Sequence, residues 1–209
     1  VARPPKGPPG SRFLVIPMFL VIENLERHLS EWLWLEYKHS SDIVEKNVLF
    51  TNVRDGFERL REIGWTSTLS VADISPGGII LDPIARDPLT PEDFEFSEIL
   101  IVGGILGSQI PRGRTYSLIT KKLLEKHEED YLVRNIGKYQ FTIDGSVLVA
   151  KLVELGLELE EIEVAYGVEV ESNGESHFLP YAYPMIDGKV LITPGLVEYL
   201  FSTQRDEEE

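Results

Sequence analysis

"ILIVGGILGSQIPRGRT", residues 99–115, is the stretch on which the reading of this chain turns. The apolar run Ile99 to Val102 breaks into Gly103, Gly104 and Gly107, followed by Pro111, Arg112, Arg114 and Thr115. A short apolar run bounded by turn residues is the pattern of a strand buried on both faces, and glycines at its end let backbone approach a neighbour that a Cβ would hold off. Phosphate is the first ligand to test. A Walker loop needs Lys followed by Ser or Thr, and Ser108-Gln109 stand there instead. A dinucleotide fingerprint needs G-x-G-x-x-G opening a helix; Gly103-Gly104-x-x-Gly107 is one residue short and ends eight residues before the next helix start, at Thr115. The bend therefore reads either as a plain turn or as the wall of a pocket for a ligand of another kind.

Strands and helices alternate outward from it. Upstream, Met18–Ile22 reads as a strand, and Leu25, Leu29, Trp32, Leu33 and Leu35 or Glu36 follow at helical spacing. Asn47–Thr51 is a second strand, and Asp55–Ile63 a helix with Phe57, Leu60 and Ile63 on one face before Gly64 ends it. Gly78–Leu81 is a short buried strand, and Thr90 with Pro91 and Asp93 has the form of a short helix start. Downstream, Thr115 opens a helix to about Lys126, Tyr131–Val133 is a strand, and Asp144 or Ser146 caps a helix to Leu155 with Leu148, Leu152 and Leu155 on one stripe. This order predicts an α/β fold, a mainly parallel sheet with helices on both faces and ligands at the carboxyl ends of its strands. Residues 162–192 read instead as strands joined by turns at Asn173-Gly174 and Asp187-Gly188, with a short helix over Pro194–Phe201.

Composition narrows the chemistry. A chain of 209 residues suits one domain, here residues 18–202, between a Pro/Gly-rich, disordered or extended tail over 1–17 and an acidic tail over 203–209. There is no cysteine, which excludes disulfides, thiolate metal sites and cysteine nucleophiles, and no metal site is expected. The net charge is −15, from 35 acids against 20 bases, so a nucleic-acid backbone is repelled overall and a basic protein is the easier partner. The longest apolar stretch, Phe13–Ile22, is broken by Pro17 and too short to span a bilayer. No membrane association is expected, and the cytoplasm is the expected location.

A second glycine-containing segment, "RNIGKYQFTIDG" over 134–145, also follows a strand and precedes a helix. Two such loops facing one crevice favour a pocket over a turn. Extended to "LVRNIGKYQFTIDGS", the segment resembles the last motif of the SPOUT methyltransferases, L-G-x-x-I-L-R-x-E-T-A, with Ile136-Gly137 at its start and Asp144 at its acidic position. Three ordered blocks sharpen the resemblance to the SPOUT-class protein arginine methyltransferases: "MFLVIENLERHLSEWLWLEY" from Met18, "LDPIARDPLTPEDF" with "GGILGSQIPRGRT", and "GKYQFTID". The chain departs from that family's protein-modifying member at Ser108-Gln109, where that member has an Asp-His pair, and at Arg112-Gly113-Arg114, which replaces a more acidic tripeptide.

The resemblance implies a sheet whose C-terminal part is threaded as a trefoil knot, with S-adenosylmethionine bent in the crevice. It carries cofactor binding onto Gly103, Gly104, Ile105, Leu106 and Gly107 as one wall, and onto Asn135, Ile136, Gly137, Gln140, Phe141 and Thr142 as a second. Leu81, Asp82 and Pro83 form a third, although Asp82 before Pro83 equally suits a turn. The activity implied is methyl transfer to an arginine of a ribosomal protein; a ribosomal or transfer RNA is the alternative target, and a non-catalytic binding protein the third reading. The enzyme is expected to be a monomer or a homodimer.

Arginine as acceptor calls for a carboxylate, because a guanidinium keeps its proton until the new bond forms. Glu31 and Glu36 are the catalytic candidates, with Trp32 and Tyr37 offering aromatic faces to the substrate. The competing reading is an amphipathic helix with Trp32 in the core and both acids in water, and Asp144 reads as a helix cap. Arg112 and Arg114 are expected at the pocket rim, binding substrate there; pairing with the cofactor carboxylate or with surface acids is the alternative.

Overall fold

The computed structural model describes residues 17–106, 113–172 and 174–203. Strands β1 (Phe19–Asn24), β2 (Val48–Thr51), β3 (Trp65–Thr66), β4 (Gly78–Leu81), β5 (Ile99–Gly104) and β6 (Tyr131–Arg134) form one parallel sheet in the order β3-β2-β1-β5-β4-β6. The apolar run at 99 is an inner strand, paired Leu20↔Leu100, Val21↔Ile101 and Ile22↔Val102 with β1. Because side chains alternate between faces, Leu20, Ile22, Leu100 and Val102 enter one core while Val21, Ile80 and Ile101 enter another. Both faces are covered, which is why these strands are apolar at successive positions.

The helices are α1 (Glu31–Ile43), α2 (Phe57–Arg61), α3 (Val71–Ile74), α4 (Asp93–Phe96), α5 (Lys121–His127), α6 (Ile143–Glu154) and α7 (Leu196–Thr203). Leu33, Trp34 and Tyr37 of α1 join Val147, Val149, Ala150 and Val153 of α6 in the larger core, and α3 and α5 line the opposite face. A π-helical turn over Tyr116–Thr120 precedes α5 where the sequence predicts plain α-helix. β7 (Val164–Ser172), β8 (Glu175–Ile186) and β9 (Lys189–Val190) make a separate antiparallel sheet that packs on α7 and on Trp32. It is tied to the main body where Ala182 N–H donates to the Gln140 carbonyl at 2.9 Å. No helix among the described residues is long and apolar enough to cross a membrane.

Three expectations are corrected. α1 begins at Glu31, because Ser30 accepts from the Leu33 N–H and so sets the start; Leu25 and Leu29 lie in the preceding loop. Thr142, not Asp144 or Ser146, caps α6, accepting from the Gly145 N–H at 3.2 Å. The stripe expected on α6 is also displaced: Val147, Ala150 and Val153 are buried, while Leu155 is 67 % exposed. α6 packs on α1, β5 and β8 and so buries more than one side: Leu152 still packs against the larger core, but the stripe does not extend to Leu155. β3 and α3, at two and four residues, are too short for periodicity to reveal.

Candidate functional site

The carboxyl ends of β4, β5 and β6 open into three loops at one end of the sheet. After β4, Asp82 is 1 % exposed and committed to local structure: one carboxylate oxygen accepts from the Ile84 N–H at 3.1 Å, the other from the Thr120 hydroxyl at 2.7 Å. The turn reading of Asp82 thus holds alongside its place in a pocket wall. After β6, the Asn135 side chain accepts from Gly137 N–H at 2.9 Å and donates to the Ala85 carbonyl at 3.1 Å, locking two of the loops together. Gly137 has φ +103°, which a residue with a Cβ rarely adopts. Arg134 grips Asp93 through two 2.8 Å hydrogen bonds and anchors α4 beneath the loops.

Between the loops lies a crevice with about 530 Å³ of space, part of it open to solvent. Of the residues predicted to hold the cofactor, Leu81, Asp82, Pro83, Gly103, Ile105, Ile136, Gly137, Gln140 and Phe141 line it. Tyr139, within the predicted loop over 136–142, joins them, as do Val102, Thr115, Ile143 and Ser146, which lie outside the predicted walls. Tyr139 sits inside the quoted loop and was legible there, whereas Thr115, Ile143 and Ser146 belong to helix starts whose proximity depends on the fold. Gly104, Leu106, Asn135 and Thr142 do not line the crevice, and Gly107 and Arg112 fall outside the described residues. Gly104 has a different reason to be glycine: a Cβ there would meet the Tyr37 hydroxyl at 2.1 Å and Ile22 Cγ2 at 2.8 Å.

A second cavity, with about 350 Å³ of space, is lined by Trp32, Glu36, Leu106, Thr142 and Tyr181. Leu106 follows Ile105 and Thr142 follows Phe141, so the two cavities share the same two loops. Glu36 is 2 % exposed and held from both sides, by the Trp32 indole N–H at 2.6 Å and the Ile143 N–H at 2.9 Å. Burial, with the Asp144 carboxylate nearby, pushes its carboxyl up to about 8, against the two hydrogen bonds that favour the charged form.

The other predicted substrate contacts separate. Tyr37 is fully buried, its hydroxyl donating to Asn24 Oδ1 at 2.9 Å and lying 3.3 Å from the Gly104 carbonyl; it is a core residue, not a face for a substrate, because the helix turns it toward the sheet. Glu31 lines neither cavity. It makes a two-pronged pair with Arg59 at 2.7 and 2.8 Å, and that pair holds its carboxyl below the ordinary value. Arg114 is half-buried and donates to the Leu106 carbonyl at 2.9 Å, at the edge of the second cavity. Asp144, not a cap, accepts from Thr193 and contacts His39. No group of three or more His, Asp or Glu residues among the described residues is arranged to hold a metal ion.

Comparison with known proteins bears on this geometry. The family described as "Protein arginine N-methyltransferase SFM1-like" matches residues 19–207. Protein arginine N-methyltransferase SFM1 of Saccharomyces cerevisiae is 26 % identical over 205 residues, spanning 88 % of this chain and 94 % of the relative. The crystal structure of the yeast arginine methyltransferase SFM1 complexed with SAH superposes with a TM-score of 0.75 at 25 % identity, covering 87 % of this chain and 93 % of that one. Dual-specific Trm10 from Thermococcus kodakaraensis shares the fold, with a TM-score of 0.50 at 17 % identity over 69 % of this chain and 96 % of its own.

Proposed function

This chain belongs to the SFM1-like family of protein arginine N-methyltransferases, and from that premise we propose that it methylates an arginine of a ribosomal protein, using S-adenosylmethionine. The observation that carries the reading is Glu36: a buried carboxyl on the wall of a cavity that shares two loops with the crevice at the strand ends.

The crevice suits the cofactor. Leu81, Ile105, Ile136 and Phe141 offer apolar walls for an adenine, Gly103 and Gly137 leave backbone accessible, and Gln140 and Thr115 supply polar groups. Among the described residues no lysine or arginine lines it, as suits a ligand without phosphate. When bound, S-adenosylmethionine supplies an electrophilic methyl on a sulfonium, and the sulfur keeps the bonding pair as the methyl leaves.

The protein's own part is to deliver and deprotonate the acceptor. Trp32 and Tyr181 line the second cavity and offer aromatic faces to a planar cation. Glu36 stands among them as the carboxylate partner of the guanidinium, and its two N–H donors fix the carboxyl plane, leaving the guanidinium to be oriented against it. As the N–C bond forms, the acceptor nitrogen gives up a proton, and Glu36 is the group placed to take it. Glu31, paired with Arg59 outside both cavities, has no part in this scheme.

The net charge of −15 favours a basic protein target over RNA, and the work is placed in the cytoplasm with the ribosome. The C-terminal threading is read as the knot of the SPOUT class. Incubation with methyl-labelled cofactor and separated ribosomal proteins, ribosomal RNA and transfer RNA tests the reading. Label is expected on arginine of a protein band; label confined to RNA overturns it.

A further inference from the structure

Behind Glu36 lies a second buried acid that the scheme above leaves idle. Asp144, in the first turn of α6, is 2 % exposed. One of its oxygens, Oδ2, accepts from the Thr193 hydroxyl at 2.7 Å and lies 2.7 Å from His39 Nδ1. The other, Oδ1, is buried with no hydrogen-bond partner among the described residues, as is the Tyr183 hydroxyl. A carboxylate serving packing alone is normally satisfied on both oxygens, since an unpaired buried acceptor costs stability. Asp144 also adjoins Ile143, whose N–H holds Glu36, so the two carboxyls share one small region between α1 and α6.

We propose that Asp144 is a positioning residue for the acceptor site: gripped by Thr193 and His39, it keeps a fixed negative charge behind Glu36, so that Glu36 holds a proton while its cavity is empty. Two carboxylates in one low-dielectric region do not both ionise readily, and Asp144 is the one beside a side chain able to carry positive charge, His39, whereas both donors on Glu36 are neutral. The remaining groups around Glu36 do not cancel that field. On α1 are Trp32, a neutral donor, and Tyr37, a buried phenol. On β8 are Tyr181 and Tyr183, whose phenols burial pushes up, so they stay neutral. Arg114 acts on Tyr181, and His39 on Asp144 itself. The field at Glu36 then works as a gate for cations. A guanidinium entering the cavity supplies the positive charge that lets Glu36 release its proton to solvent, and a neutral side chain does not. This last step rests on Glu36 being the acceptor's partner.

The test needs no substrate. The chain has three tryptophans, so the indole N–H region of a proton–nitrogen correlation spectrum reads Trp32, and through it Glu36, directly, with Trp34 and Trp65 as controls of the fold. In the unaltered protein the Trp32 signal is expected to titrate with a midpoint of about 8. Asp144→Asn should lower that midpoint by about one pH unit or more. Thr193→Val, which weakens the grip on Asp144 without changing charge and spares the fold if Asp144→Asn does not, should lower it less, and Thr193→Ser should restore it. A Trp32 midpoint among ordinary exposed carboxylates in the unaltered protein, or one left unmoved by Asp144→Asn or by Thr193→Val, overturns the proposal. Calorimetric titration with Nα-acetylarginine amide near pH 7 then separates the two ideas. Release of about one proton on binding is expected. The Trp32 titration as described, with no binding of this probe, leaves the paired carboxyls standing and sinks the reading of Glu36 as the acceptor's partner.

Discussion

Two glutamates in this molecule are each 2 % exposed, yet their surroundings make them different groups. Glu23, at the end of β1, accepts from the Thr51 hydroxyl at 2.6 Å, the Ser70 hydroxyl at 2.6 Å and the Val71 N–H at 2.8 Å, so both of its oxygens are spent on joining β1 to β2 and to the start of α3. Glu36 has one donor on each oxygen, a second acid nearby and a cavity in front. Burial alone therefore does not mark a reactive carboxyl. What marks it is burial with capacity left over and a space for a ligand beside it.

The strongest attempt to break this contrast is Glu36→Gln, which should cut methyl transfer at least about 100-fold while cofactor affinity, measured by calorimetry, stays near that of the unaltered protein. Loss of cofactor binding in step with turnover would mean Glu36 only supports the fold. Glu23→Gln should do the reverse. It leaves a buried donor facing a donor, costs about 1–3 kcal/mol in urea denaturation, and spares turnover per folded molecule.

Gly104→Ala belongs with Glu23, as a packing change: its Cβ collides with the Tyr37 hydroxyl and should cost about 1–3 kcal/mol, less in a Tyr37→Phe background. Equal costs in the two backgrounds would show that the hydroxyl is not the obstacle.

pH sharpens the same comparison. Folded, Glu36 keeps its proton up to about pH 8; unfolded, it loses it near the ordinary value of 4.5. Between those values the folded state binds more protons, so this group's contribution is complete below the lower value and is lost as pH rises through the upper one. Stability in urea should decline from pH 6 to pH 9, with a shallower decline in Glu36→Gln. The smallest effect belongs to Glu31→Gln. Its pair with Arg59 is partly exposed, so about 1 kcal/mol or less is at stake, with turnover unchanged; a large drop in turnover would return Glu31 to the site.

Much of the fold was legible because the central strands are apolar at consecutive positions, as a parallel sheet covered on both faces requires, and β5 ends in Gly103-Gly104. Turn residues likewise marked both hairpins at the C-terminal end. Within the candidate site, the loops were readable as segments and their members were not. Gly103 and Gly104 are adjacent and chemically identical, yet one lines the crevice and the other makes room for Tyr37. Glu31 and Glu36, five residues apart on one helix, point to an arginine at the surface and to a cavity in the interior.

By itself the sequence determined the strand and helix alternation, the two glycine loops, the acidity and the absence of thiols, since each depends on residue type and local spacing. Which side of α1 faces the sheet, that Asp144 from a helix over 100 residues away stands behind Glu36, and that two loops share their edges between two cavities were decided only by tertiary structure. The reason is physical: a charge is costly or useful according to the donors, acids and space around it, and those come from segments that the chain brings together only by folding.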